Sequence, residues 1–181
     1  SSSSSSQLPS FLVMPTGAAG TPEHPDRIAG DAYCVYSWAA NVIEVAVDTE
    51  TGEVTCIGAT CAVDAGRVIN RQSAEGQIEG GVTQGLGFAL MEEHVLRDGR
   101  VLNPKLSSYI IPSIGDVPAI TPVLVEVPYS KGPFGAKSLG ELPVMGIGGA
   151  IINAVASATG AWLPELPATP ERVLEMLDAA G

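Results

Sequence analysis

The sequence predicts an α+β chain: mostly antiparallel hairpins packed with a glycine-rich helix and C-terminal helices. Three observations carry that expectation. Two alternating apolar runs, 39–47 and 54–63, flank the turn sequence Asp48 to Glu53 with its Gly52, the pattern of a β-hairpin. Asp98-Gly99 sits between Val95 and Leu102, and Asp-Gly favours a two-residue hairpin turn because both central positions need positive φ. Ile78, Val82, Leu86, Ala89 and Leu90 recur at helical spacing and give the segment 71–94 one apolar face.

Each element follows in order. Residues 1–30 read as a loop or linker arm, since Pro15, Pro22 and Pro25 block regular structure. The six opening serines suggest a linker, a tag remnant or a trimmed end. The first hairpin follows, closed by Asp64-Ala65-Gly66. The 71–94 helix carries Gly76, Gly80, Gly81, Gly85 and Gly87, and each Gly costs about 0.5–1 kcal/mol against Ala in a helix interior. Close approach of another backbone or of a flat ligand would justify that cost. The Asp98-Gly99 hairpin comes next, then an extended stretch at 105–112, a loop from Pro112 to Pro118 and a strand at 121–127. Residues 128–146 read as irregular, 148–159 as a small-residue helix stopped by Gly160. Thr169-Pro170-Glu171 opens the last helix with a cap, a Pro at the first position and an acid in the first turn. Residues 31–181 show no second boundary, so they read as one domain.

Composition narrows the function. Of 181 residues, 45% are apolar and 16% charged, which excludes wholesale disorder. The net charge of −11 has the wrong sign for binding phosphate backbones, so no nucleic-acid partner is expected. Apolar stretches read as too short for a membrane span, and no membrane partner is expected. Cys34, Cys56 and Cys61 lack metal-ligand or disulfide spacing, which leaves a reducing, cytoplasmic setting as the default. His24 and His94 read as surface residues, Glu92-Glu93 as a solvated helix end and Trp162 as a core anchor. No protein side chains group as ligands for a metal.

Two stretches break local rules, as functional sites tend to. Glu75 to Gly81 (EGQIEGG) opens the glycine-rich helix, where free N–H groups and the Gln77 amide can meet a polar ligand. The same residues also suit tight packing with Gln77 on the surface. Lys131 to Pro143 (KGPFGAKSLGELP) is patternless, and such loops are usually functional or flexible. There Glu141 stands between Leu139 and Leu142. Apolar surroundings would raise its pKa as a general base requires, but an exposed Glu paired with Lys137 fits equally well.

Asp64 to Asn70 (DAGRVIN) and Gly76 to Gly87 (GQIEGGVTQGLG) together resemble the molybdenum hydroxylases of the xanthine dehydrogenase and aldehyde oxidase type. The likeness continues through Gly99–Pro104, Tyr109–Pro112, Asp116–Pro118, Gly132–Pro143, Ala150–Val155 and Glu165–Glu171, in order and at the family's spacing. The resemblance covers roughly residue 30 onward and implies the second molybdenum domain, at 31–181, of a larger molybdenum-binding subunit. It implies Glu141 as the general base, and Gln77 with Gly76 and Gly140 as contacts to a molybdopterin-type cofactor, possibly in its cytosine dinucleotide form. Gly81 joins Gly76 and Gly80 in the expected approach of backbone to cofactor. Molybdenum would be held through the pterin dithiolene.

The implied reaction inserts water-derived oxygen into an electron-poor carbon of a purine, N-heterocycle or aldehyde. Implied partners are the remaining half of the molybdenum subunit and iron–sulfur and flavin subunits, which would carry [2Fe-2S] clusters and FAD. Arg71 and Leu142 depart from residues common in the family; Leu142 leans towards members acting on N-heterocycles. The alternative is a non-catalytic structural or assembly module of such a complex.

Overall fold

The structure, a computed structural model, describes residues 35–180; the expected arm at 1–30 and Cys34 lie outside them. Strands β1 (Ala39–Val47) and β2 (Val54–Asp64) form the first hairpin as expected. They pair antiparallel from Ala39 opposite Val63 to Val47 opposite Val54, with a bulge at Glu44/Val45. In the turn, the Asp48 side chain accepts hydrogen bonds from the Glu50 and Thr51 amides. Gly52 has φ +77, a conformation that suits glycine.

Helix α1 (Arg71–Leu90) begins at Asn70, whose side chain accepts from the Ser73 amide at 2.9 Å. It ends at Leu90 rather than 94. Glu92 and Glu93 are therefore not a solvated helix end. Glu92 accepts a hydrogen bond from the Tyr109 hydroxyl at 2.7 Å, and Glu93 pairs with Arg172 at 2.7 Å. The short hairpin β3 (Leu96–Arg97) and β4 (Arg100–Val101) turns through Asp98 and Gly99 at φ 50 and 74, as the Asp-Gly signal predicts.

Residues 105–109 form a turn instead of the expected extended stretch, held by amides of Ser108 and Tyr109 on the Lys105 carbonyl. Strand β5 (Ala119–Val125) then joins the main sheet, in the order β1-β2-β5. It runs parallel to β2, from Gly58 opposite Ala119 to Asp64 opposite Val125. The hairpins are antiparallel as expected; this pairing is the exception.

The chain then makes two 3-10 turns, Pro133–Gly135 and Leu142–Val144, before α2 (Ile147–Thr159) and α3 (Pro170–Ala180). Gly160, in the left-handed region, ends α2 as expected. Contrary to the sequence expectation, Leu142–Thr159 reaches the length and hydropathy of a membrane span, with a mean hydropathy of 1.5 over 18 residues. Gly146, at φ 82, breaks it and leaves a 13-residue helix, about 20 Å long against a hydrocarbon core of about 30 Å.

The core lies where α1 and α2 meet one face of the sheet. Ile78, Val82, Ile147, Ile151 and Val155 are fully buried there with Cys61 and Val63. Burying each large aliphatic chain contributes about 1.5–3 kcal/mol. Trp162 is 63% exposed and is no core anchor; Leu163 beside it is buried instead. His94 is exposed as expected, edge-on to Tyr109. Cys56 and Cys61 are free buried thiols, and burial pushes both thiol pKa values up.

Two helix glycines are explained by this packing. A Cβ at Gly81 would lie 2.7 Å from Pro143 Cβ, and one at Gly85 2.7 Å from Ile147. Gly81 thus faces its own chain rather than a cofactor. Gly85→Ala should force α1 and α2 apart and destabilise by about 1–3 kcal/mol, the usual cost of overpacking. Urea unfolding checks this through a lowered midpoint with an unchanged slope.

Candidate active site

The two rule-breaking stretches meet in space. Gln77 and Gly140 face each other: a Cβ built at Gly140 would lie 3.9 Å from Gln77 Oε1. One residue on, Glu141 opens the 3-10 turn whose Pro143 is buried against Gly81. The first turns of α1 thus hold the Glu141 loop at two points.

The remaining helix glycines in this region behave differently from Gly81 and Gly85. A Cβ at Gly76 or Gly80 would meet nothing within 4 Å. Both residues are exposed, as is Gln77 between them. Among the described residues the fold gives no packing reason for these two glycines. Beside them lies a cleft of about 230 Å3, whose lining includes Asn70, Gln77, Lys137 and Leu139.

Glu141 is exposed on this surface, not enclosed by Leu139 and Leu142. Its suggested pairing with Lys137 is not made. Lys137 Nζ instead meets Asp64 Oδ2 at 2.6 Å, with the two side chains only 8% and 10% exposed. Burial works against ionisation of Asp64. The Lys137 hydrogen bond, the Gly66 amide, the Lys137 charge and the Val127 amide outweigh it and hold the carboxyl below its ordinary range. Sequence reasoning missed this pair because 73 positions separate its members and each looked local, Asp64 as a turn residue and Lys137 as a loop cation. Among the described residues no group of three or more His, Cys, Asp or Glu side chains could hold a metal.

The α+β domain thus sets the exposed Gln77 amide near Gly140, with the exposed Glu141 one residue further on. Residues 14–118 match the molybdopterin cofactor-binding domain family, and the chain belongs to that family. It is similar to a probable xanthine dehydrogenase subunit from Bacillus subtilis, with 39% identity over 88% of this chain and 21% of that protein. Its fold is similar to that of the aldehyde oxidoreductase from Desulfovibrio gigas: TM-score 0.73, 40% identity, covering 80% of this chain and 16% of that one. Quinoline 2-oxidoreductase from Pseudomonas putida is also similar, at TM-score 0.70 and 31% identity, over 74% of this chain and 18% of that one. The chain therefore spans about one fifth of the length of these relatives.

Proposed function

We propose that this chain supplies one wall of the molybdenum-cofactor pocket and the general base, Glu141, of a molybdenum hydroxylase. The observation that carries the proposal is the approach of Gly140 to Gln77, with the exposed Glu141 one residue beyond Gly140 and the open Gly76 next to Gln77 on the helix. The open space over Gly76 and Gly80 fits a flat cofactor, because no Cβ holds it away from the helix backbone.

When bound, a molybdopterin-type cofactor, possibly in its cytosine dinucleotide form, supplies the two-electron acceptor for oxidation of the substrate carbon. Gln77 binds it through an amide that donates and accepts at once. Gly76 and Gly140, which carry no side chain, leave room for it beside Gln77. A carboxylate oxygen of Glu141 takes up the proton that the water-derived nucleophile loses as it bonds to the electron-poor carbon of a purine, N-heterocycle or aldehyde.

Catalysis requires parts beyond this chain: the remaining half of the molybdenum subunit, and iron–sulfur and flavin parts carrying [2Fe-2S] clusters and FAD. Exposed apolar residues such as Trp38 (72%) and Leu106 (78%) suit such an assembly. A reducing, cytoplasmic setting suits the free thiols of Cys56 and Cys61.

Two substitutions test the cofactor wall. Gln77→Ala should lower molybdenum retained by the purified assembly; unchanged occupancy and unchanged turnover would remove the role. Gly76→Ala should stabilise the chain by about 0.5–1 kcal/mol, since the helix gains and the Cβ meets nothing. It should nevertheless lower molybdenum content, because the methyl group enters the cofactor's space. Calorimetry and metal analysis of the same preparation separate the two effects.

A further inference from the structure

We propose that the buried Lys137–Asp64 pair is a positioning device for Glu141, fixing the start of the loop segment that ends in the base. This rests on the reading of Glu141 given above. The joint between β2 and the loop is made three ways, and a fourth bond holds Asp64 in place on its own side. Lys137 Nζ meets Asp64 Oδ2 at 2.6 Å, and the Lys137 amide donates to the Ala65 carbonyl at 2.9 Å. The Arg67 amide donates to the Gly135 carbonyl at 2.8 Å, and the other Asp64 oxygen accepts from the Gly66 amide at 3.0 Å.

Gly66 has φ +64, and a Cβ there would lie 2.5 Å from Gly135 O and 2.9 Å from Lys137 Cγ. The joint is closed so tightly that only glycine fits. Beyond it, Ser138 to Gly140 lead to Glu141, and the next firm point is Pro143, seated against Gly81. Between those anchors Leu139 and Leu142 pack half-buried against the hydrophobic core, the exposed Ser37 hydroxyl donates to the Ser138 carbonyl at 3.2 Å, and Gly140 approaches Gln77. A displacement at Lys137 is therefore passed along a short span to the carboxylate. Because Asp64 already pairs with Lys137, the cation is committed to the joint and does not bind Glu141.

The test uses the assembled, molybdenum-loaded protein with Asp64→Asn/Lys137→Gln, a double change that leaves neither charge buried alone. Amide hydrogen exchange at 138–141 should rise while that of α2 stays unchanged. Turnover per molybdenum should fall about ten- to a hundredfold, the scale for a displaced catalytic group, with KM little altered. Lys137→Arg should preserve both readouts. Unchanged exchange at 138–141 would overturn the proposal, as would a rise shared equally by the loop and α2, which marks a purely structural pair. Glu141→Gln measured alongside separates the failures. If it keeps turnover, the base is elsewhere; if it loses turnover while the double variant keeps both exchange and turnover, only the positioning role falls.

Discussion

Glu141→Gln should abolish hydroxylation by the assembled protein while its molybdenum content stays near normal. The change keeps the size and shape of the side chain but removes its negative charge and its capacity to accept a proton. Among the described residues, no hydrogen bond or ion pair that shapes the loop uses the Glu141 carboxylate. Pro143 still fills the notch over Gly81, and Gly140 still lies against Gln77. Cofactor binding therefore survives and proton transfer does not. Loss of a positioned general base typically costs about 10²–10⁴-fold. Activity retained within about tenfold, roughly 1.4 kcal/mol of barrier, would place the base on another residue.

Lys137→Met has the largest expected effect on stability. It leaves the Asp64 carboxylate buried without its cation, and breaking such a pair from one side costs about 3–5 kcal/mol. Its pH dependence identifies the cause. In the native chain the Asp64 pKa lies below its ordinary value of 3.8. Its contribution is fully present above that value and is lost as pH falls through the folded pKa. Without Lys137 the buried carboxyl protonates at a higher pH than in the native chain, and the neutral form needs no cation. The deficit of the variant should therefore be greatest at neutral pH and shrink as the solution is acidified. Urea unfolding at several pH values measures it. A deficit independent of pH would mean that Lys137 acts through packing alone.

The parts of the fold legible in the sequence were those set by local chemistry. Asp98-Gly99 dictated its own turn, Thr169 stood at a helix start, and Gly160 marked a helix end. The parallel pairing of β2 with β5 was harder to read, because alternation in 119–125 carries no strand direction. The signal was the helix between the two strands, since parallel neighbours need a crossover, but the intervening β3–β4 hairpin obscured it. Trp162 misled because a large aromatic near prolines suits a core anchor, yet the buried position belongs to Leu163.

Within the candidate site, unusual composition singled out the two segments that meet in space but could not divide their glycines by role. Gly81 and Gly85 are spaces for Pro143 and Ile147, whereas Gly76 and Gly80 are open. That distinction depends on which neighbour the fold delivers, and no local pattern contains it. The Asp64–Lys137 pair was hidden for the same reason.

The most direct measurement of the central claim is an experimental structure of the complete assembly with its cofactor in place. The account predicts the pterin against Gly76, Gln77 and Gly140, with a Glu141 carboxylate oxygen about 2.6–3.2 Å from the oxygen it deprotonates. A cofactor bound elsewhere, with Glu141 turned to bulk water, would contradict it.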